Sequence, residues 1–153
     1  MSKLSQKESN SIRLHRLVAT VFGVDYGSLW WVPDQFWLRE IPTFKSRPGG
    51  KHPGLCIGTT NSASVFDPWP LLLGVSKSGP LPVTGMNAND PDKVGYFGRV
   101  LRPAMFEAKD FTTYAGDDRN QSISRNRFKP TLSDNEESEL RSFLRKKGLL
   151  TEP

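Results

Sequence analysis

The sequence contains few of the residues that disulfide-bonded, metal-binding and membrane proteins need. There is one cysteine, and there are two histidines, in 153 residues. A single cysteine excludes an internal disulfide and a zinc site built from several cysteines. No stretch reaches the roughly 18 apolar residues of a membrane-spanning helix, and the N-terminus has no apolar signal-peptide core. These absences predict a soluble, cytoplasmic protein with no cofactor, no bound metal and no membrane contact.

The sequence also lacks the short motifs of several large enzyme classes. It has no zinc-type ligand spacing, no phosphate-binding glycine loop and no Gly-x-Ser-x-Gly nucleophile elbow. Cys56 lies between Leu55 and Ile57 in an apolar run, which predicts a buried, unreactive thiol and not a nucleophile.

What the chain does have is bulky aromatic side chains and many turn residues. Nine phenylalanines and four tryptophans supply core anchors, although only 36% of the residues are hydrophobic. Thirteen glycines and twelve prolines favour a β-rich fold with many turns over a helical bundle. The net charge of +5 and the isoelectric point of about 9.5 indicate a mild preference for polyanions.

Helical and strand patterns along the chain predict an α+β domain. Apolar residues spaced by three and four predict a helix at about 6–22. Short apolar runs separated by glycine and proline predict antiparallel strands. These runs lie at 29–32, 36–44, 53–60, 71–76, 81–86 and, as two strands or one interrupted strand, 94–111. The polar stretches 87–93 and 116–126 are predicted to be loops.

The end of the chain carries the clearest helix signal. Ser133 and Glu136 have the spacing of a capping box, and Leu140, Phe143 and Leu144 form the predicted buried stripe of the helix that follows. Gly148 suits a left-handed stop. The whole pattern predicts a helical extension over residues 1–27 and a single domain over 28–153, with a strongly bent antiparallel sheet and a helix at each end.

A cluster of cations precedes the strand predicted at 53–60. Lys45, Arg47, Lys51 and His52 fall within eight residues, on a stretch that a proline and two glycines oblige to turn. Such a loop can present cations to a phosphate, and a solvated hairpin turn is the alternative.

Two stretches give the chain a resemblance to a known family. Residues 52–58 read His-Pro-Gly-Leu-Cys-Ile-Gly, and residues 71–78 read Leu-Leu-Leu-Gly-Val-Ser-Lys-Ser. With the basic run and capped helix of 123–149, they resemble the PemK/MazF-like toxin endoribonucleases, which are small SH3-like β-barrels. The resemblance covers residues 28–150. The chain departs from the family pattern in that His52 stands where the family has Arg before Pro, and Gly74-Val75 stands where it has Pro before the hydroxyl residue.

The resemblance implies a mainly antiparallel, SH3-like or PemK-like β-barrel and a metal-independent endoribonuclease acting on single-stranded RNA. It implies an antitoxin protein as partner and allows a homodimer. The implied catalytic residues are His52, Arg47, Ser76 and Ser78. The implied RNA-binding residues are Lys45, Lys51, Lys77 and Trp37. Arg47, Lys51 and His52 are the alternatives for the role of the family's arginine, and core packing is the alternative for Trp37.

These residues have a chemical rationale in RNA cleavage. Attack by the 2′-hydroxyl needs a base, the phosphorane needs cations, and the leaving oxygen needs an acid. Histidine changes charge near neutral pH and can serve as base or acid, whereas arginine can hold a phosphate with two hydrogen bonds. Two hypotheses compete with the ribonuclease: a non-catalytic SH3-like module that binds nucleic acid or a protein, and an interaction protein encoded by a mobile element.

Overall fold

A five-stranded antiparallel sheet forms the centre of the fold in the computed structural model, which describes residues 14–15, 24–47, 49–59, 70–111 and 122–151. Two helices and a short 3-10 helix accompany the strands: α1 (Asp34–Glu40), α2 (Asp134–Lys146) and the 3-10 turn Ala108–Asp110. The strands are β1 (Leu14–His15), β2 (Leu29–Pro33), β3 (Lys51–Thr59), β4 (Pro70–Gly74), β5 (Leu81–Val83), β6 (Gly95–Phe97), β7 (Ala104–Met105), β8 (Ser124–Arg125) and β9 (Leu150–Thr151).

The strand order of the central sheet is β7-β4-β3-β2-β8, and every neighbouring pair in it is antiparallel. An antiparallel β5-β6 pair and a parallel β1-β9 pair stand beside it. Among the described strands β7 and β8 form the two edges, so the sheet is open. The predicted α+β class and the mainly antiparallel sheet are confirmed, but the described strands do not form a closed barrel, because the edge strands β7 and β8 do not pair.

Side chains of β3 alternate between the two faces of the sheet, as strand geometry requires. On one face Leu55 and Ile57 belong to the core cluster that contains Leu140 and Leu144 of α2. On the other face Cys56 belongs to the cluster that contains Trp37 of α1. The sheet is therefore covered by α2 on one side and by α1 on the other. Neither helix of the described chain has the length and apolarity that crossing a membrane requires.

Gly54 allows α1 to lie close to the sheet. A Cβ atom at position 54 would be 3.2 Å from the ring of Trp37 and 3.2 Å from side-chain atoms of Val32 and Leu72. Because real Cβ contacts are seldom that short, a side chain at this position would push these neighbours away by a few tenths of an ångström. The glycine thus favours the close approach of Trp37 to β3.

Two helix and strand predictions are wrong. Residues 36–44, predicted as a strand, contain most of α1, because the helical turn buries Trp37 in the core cluster against which Phe36 and Phe44 pack. Leu14 and His15, inside the helix predicted for 6–22, lie in β1, which pairs in parallel with β9. The spacing of nearby apolar residues contains no information about a backbone partner as distant in sequence as β9. The rest of 6–22 lies outside the described residues.

Other segments agree with the predictions or refine them. Strands occur where they are predicted near 29–32, 53–60, 71–76 and 81–86, and 94–111 contains two separate strands. The predicted loop at 116–126 is wrong at Ser124–Arg125, because these residues form the edge strand β8 against β2. Its residues 116–121 lie outside the described part.

The C-terminal helix begins as predicted. The Ser133 hydroxyl accepts a hydrogen bond from the Glu136 N–H, and the Glu136 carboxylate accepts one from the Ser133 N–H. Gly148 has a φ of 68°, and the Leu149 N–H donates to the Leu144 carbonyl at 3.0 Å. The capping box and the left-handed stop are both confirmed.

Candidate active site

The register of β2 against β3 brings an aspartate to His52. Val32 pairs with His52 and Pro33 pairs with Lys51. Asp34 follows immediately as the first residue of α1, where the chain leaves the sheet. The His52 Nδ1 atom and the Asp34 Oδ1 atom are 2.6 Å apart, which is a short hydrogen bond between two ionisable side chains. The pair joins residues that are 18 positions apart in the sequence.

The Asp34 carboxylate is buried and held from two sides. Its residue is 2% exposed, and its Oδ2 atom accepts a hydrogen bond from the Arg47 backbone N–H at 2.8 Å. The Asp34 N–H in turn donates to the Gly50 carbonyl at 2.9 Å. An ionised carboxylate can only accept, so the tautomer of His52 that can donate to Asp34 is the one with the proton on Nδ1. The Nε2 atom is then the one left to take or give a proton.

The His52 ring is fixed by its neighbours but is not fully enclosed. Phe44 meets it edge to face, with ring centroids 5.3 Å apart. The Trp37 indole N–H reaches the His52 carbonyl at 3.4 Å, which ties the strand backbone to α1. The His52 side chain remains 29% exposed, so the ring is oriented by packing and is still accessible to a ligand.

A tight turn at 47–50 completes the surroundings of Asp34. The Gly50 N–H donates to the Arg47 carbonyl at 2.8 Å, and Gly49 has a φ of 68°. Only glycine adopts this left-handed conformation without strain. A Cβ atom on Gly50 would lie 2.6 Å from the Asp34 Oδ2 atom, so a larger residue there would displace the carboxylate. Gly49 therefore permits the turn, and Gly50 leaves room for the Asp34 carboxylate.

A cleft opens beside this turn, on the side of Asp34. It has a volume of about 410 Å³. Its walls are formed by the start of α1 and the basic loop: Pro33, Asp34, Gln35, Leu38, Ser46, Arg47, Gly49, Gly50 and Lys51. His52 does not line the cleft but is bonded to Asp34, which does. The cleft thus combines one buried carboxylate with the cations of the basic loop.

The predicted cations differ in exposure and in whether they line the cleft. Lys45 and Arg47 are exposed on the loop, and Lys51 is half-buried at the start of β3. Arg47 contributes to the site twice, since its N–H binds Asp34 and the residue is part of the cleft lining. The sequence-based cluster of Arg47, Lys51 and His52 is therefore brought together by the fold.

The predicted serines lie at the same end of the sheet but have other partners. Gly54 pairs with Gly74, which puts the start of β3 and the residues after β4 at one end. Ser76 there forms an antiparallel bridge with Tyr96, with backbone hydrogen bonds of 2.8 and 3.2 Å. Lys77 and Ser78 are exposed beyond it. The structure shows no hydrogen bond between either serine and His52 within the described residues.

Trp37 is a correction to the predicted RNA-binding set. Its side chain is fully buried, stacked on Phe44 with centroids 5.9 Å apart and edge to face with Phe106 at 5.7 Å. An indole without an exposed face cannot stack on a base. Its role is to hold α1 against the sheet.

A second group of charges anchors the other end of α1. The Arg39 guanidinium binds both carboxylate oxygens of Asp110, at 2.7 and 3.4 Å, and its Nε atom is 3.6 Å from the Glu40 carboxylate. Asp110 is 6% exposed and also accepts the Glu107 N–H at 3.0 Å. The arginine therefore connects α1 to the 3-10 turn.

Asp34 is the site residue that sequence reasoning missed. The sequence pattern indicates a turn between two strands at Pro33-Asp34, and such a turn gives the aspartate no partner. A local signal is that Trp37 follows Asp34 by three residues, which is the spacing of two positions on one helical face. A strand end followed directly by a helix would have placed Asp34 beside the start of the neighbouring strand.

Cys56 behaves as predicted. It is fully buried, and burial raises the pKa of its thiol to about 12. A thiol of this kind stays protonated and is a poor nucleophile near neutral pH. Within the described ranges, no three or more His, Cys, Asp or Glu side chains are grouped so that they could hold a metal ion.

No family model matches this chain, and no curated protein or solved structure is significantly similar to it. The geometry around His52 and Asp34 therefore carries the functional proposal.

Proposed function

We propose that this protein is a metal-independent endoribonuclease that cleaves single-stranded RNA, in the manner of a toxin controlled by an antitoxin. The observation that carries the proposal is the 2.6 Å hydrogen bond between His52 and the buried Asp34, beside a cleft lined by Arg47 and Lys51. A histidine oriented by a buried carboxylate is the arrangement that general acid–base catalysis uses.

The proposed chemistry begins with the His52 Nε2 atom as the base. It takes the proton of a ribose 2′-hydroxyl, whose oxygen then attacks the adjacent phosphorus. The bond from phosphorus to the 5′-oxygen breaks, and that oxygen receives a proton from water. The products are a 2′,3′-cyclic phosphate and a free 5′-hydroxyl, and His52 returns its proton to solvent.

The neighbours of His52 have distinct roles in this step. The Asp34 carboxylate balances the imidazolium that forms when the ring takes a proton. Arg47 and Lys51 stabilise the charge that develops on the phosphoryl oxygens, Arg47 with two parallel hydrogen bonds. Lys45 and Lys77 attract the RNA backbone, and Ser76 and Ser78 donate hydrogen bonds to it. The PemK/MazF-like relation is supported by the antiparallel run of β2, β3 and β4 and by the capped helix α2.

The test is incubation of the purified protein with long unstructured RNA, with and without EDTA. Cleavage should survive EDTA and should yield cyclic phosphate ends. An all-DNA analogue should bind but remain intact, because it has no 2′-hydroxyl. His52→Ala should lower turnover by roughly 10²–10⁴-fold, the contribution of one acid–base group. His15→Ala, which removes the other histidine, is the matched control. Intact RNA at micromolar wild-type protein contradicts the proposal.

A binding module is the second candidate, favoured by the exposure of Lys45, Arg47 and Lys77. It predicts RNA affinity without cleavage. Arg47→Ala and Lys45→Ala each remove one cation that can pair with a phosphate, so each should flatten the dependence of binding on salt by about one unit of log–log slope. Expression in bacteria separates the biological roles, since a toxin arrests growth and a binding module does not.

A further inference from the structure

The cleft beside Asp34 has two walls of different chemistry. One wall is the basic loop, where Arg47 and Lys51 provide positive charge. The other wall is α1, which contributes Gln35 and Leu38. These two residues are one helical turn apart, so they lie on the same side of α1, and Asp34 is four positions before Leu38 on that side. A ligand that fills the cleft therefore meets cations on one side and an amide with an aliphatic surface on the other.

The size of the cleft restricts the ligand. Its volume of about 410 Å³ exceeds what a phosphate group needs. It falls at the lower end of the range of about 300–1,000 Å³ that small-molecule sites occupy. One nucleotide unit of a single strand matches both the size and the chemistry, because its phosphate is anionic and its base has an apolar face and a polar edge.

We infer that the cleft binds one nucleotide of the RNA next to the scissile bond and that Gln35 reads its base. This inference rests on the proposed function for the identity of the ligand. The scissile phosphate lies against Arg47 and Lys51, and the face of the base lies on Leu38. Gln35 is exposed, and its amide offers a donor and an acceptor side by side. That combination forms paired hydrogen bonds with the edge of a base and distinguishes one base from another.

The arrangement of residues along α1 fits a nucleotide in this position. Asp34 is buried and holds His52, whereas Gln35, the next residue, is exposed in the cleft. The first residue of α1 thus orients the proposed catalytic histidine, and the second residue contacts the base. A nucleotide bound against Gln35 would place the scissile phosphate in the cleft that Asp34, the partner of His52, also lines.

The experiment compares the cleavage patterns of the wild type and Gln35→Ala. The ends of fragments from long unstructured RNA are sequenced to give the base preference beside the cut. Wild type should show a clear preference, and Gln35→Ala should reduce it by roughly tenfold, the lower part of what a paired hydrogen bond to a base contributes. Cleavage beside the preferred base should fall by the same factor, while cleavage beside the other bases and the melting temperature should change little. Asn135→Ala, which removes an exposed amide from α2, should leave the preference intact.

The outcomes separate this inference from the proposed function. Cleavage with the same base preference in Gln35→Ala overturns the inference and leaves the ribonuclease standing. If the wild type cleaves no RNA, titration with AMP, GMP, CMP and UMP tests the cleft directly. Base-dependent affinity that Gln35→Ala abolishes supports the nucleotide site, and equal or absent binding of all the monophosphates overturns it.

Discussion

The two α-helices of the described residues begin in opposite ways. Each starts with an aspartate, Asp34 in α1 and Asp134 in α2. Helix α2 has thirteen residues and a complete capping box made by Ser133 and Glu136. Helix α1 has seven residues, is preceded by Pro33, and has no side-chain cap hydrogen bond. The carboxylate that could serve the first turn of α1 is bound instead to His52 and to the Arg47 N–H.

The difference indicates that the first residues of α2 stabilise the helix itself, whereas those of α1 do not. The start of α2 satisfies its own backbone groups, so its sequence alone accounts for it. A helix as short as α1 is not stable by itself and depends on tertiary contacts. Burying the Asp34 carboxylate opposes folding unless partners compensate it. Local rules are commonly broken at functional sites, and α1 breaks them where the proposed chemistry lies.

Exchanging each aspartate for asparagine should produce the largest contrast. Asp34→Asn should reduce RNA turnover by roughly 10²–10⁴-fold. The neutral amide cannot balance a protonated His52, and its NH₂ group can hold the ring in the wrong tautomer. Asp134→Asn alters an exposed carboxylate at the same helix position and should leave turnover unchanged. Initial rates on one RNA substrate, with a thermal melt of each variant, provide the comparison. Equal rates for the two variants would mean that Asp34 is only structural.

Removing Arg39 of α1 and removing Arg141 of α2 should lower the free energy of unfolding by different amounts. Arg39→Ala removes the partner of the buried Asp110 carboxylate and should lower the free energy of unfolding by about 1–3 kcal/mol. Arg141→Ala removes a partly exposed i,i+4 pair with Glu137 on α2 and should cost about 0.3–0.5 kcal/mol. Urea unfolding measures both. Similar small losses of stability would show that the Arg39–Asp110 ion pair does not anchor α1.

The smallest expected effect on activity concerns the cap of α2. Ser133→Ala should destabilise the protein by roughly 1 kcal/mol, because the Glu136 N–H loses its acceptor. RNA turnover per folded molecule should not change, since α2 lies on the opposite face of the sheet from α1. A drop in activity greater than the drop in folded protein would contradict the division of roles between the helices.

Much of the fold follows from local patterns in the sequence. The apolar runs predict β2, β3 and β4, and the capping box predicts the first residue of α2 correctly. These features depend on residues within a few positions of one another. The basic loop is also recognisable locally, because Pro48, Gly49 and Gly50 oblige a turn next to the cations.

The His52–Asp34 pair could not be recognised in the same way. Asp34 meets His52 only because β2 and β3 pair in a particular register and α1 begins where β2 ends. With 36–44 predicted as a strand, Asp34 becomes a turn residue and Trp37 becomes available for RNA. In the structure the short helix α1 instead places Asp34 beside His52 and buries Trp37. Seven residues give little helical periodicity in the sequence, and the helix is held by the packing of Trp37 against Gly54 and Phe44.

A double-mutant cycle on RNA cleavage tests most directly whether His52 and Asp34 act as one catalytic unit. The value of kcat/KM is measured for wild type, His52→Ala, Asp34→Asn and the variant with both changes. If Asp34 acts through His52, the double variant should be no slower than His52→Ala alone. Rate reductions that multiply would show that the two residues act independently, and wild-type activity in either single variant would remove the pair from the mechanism.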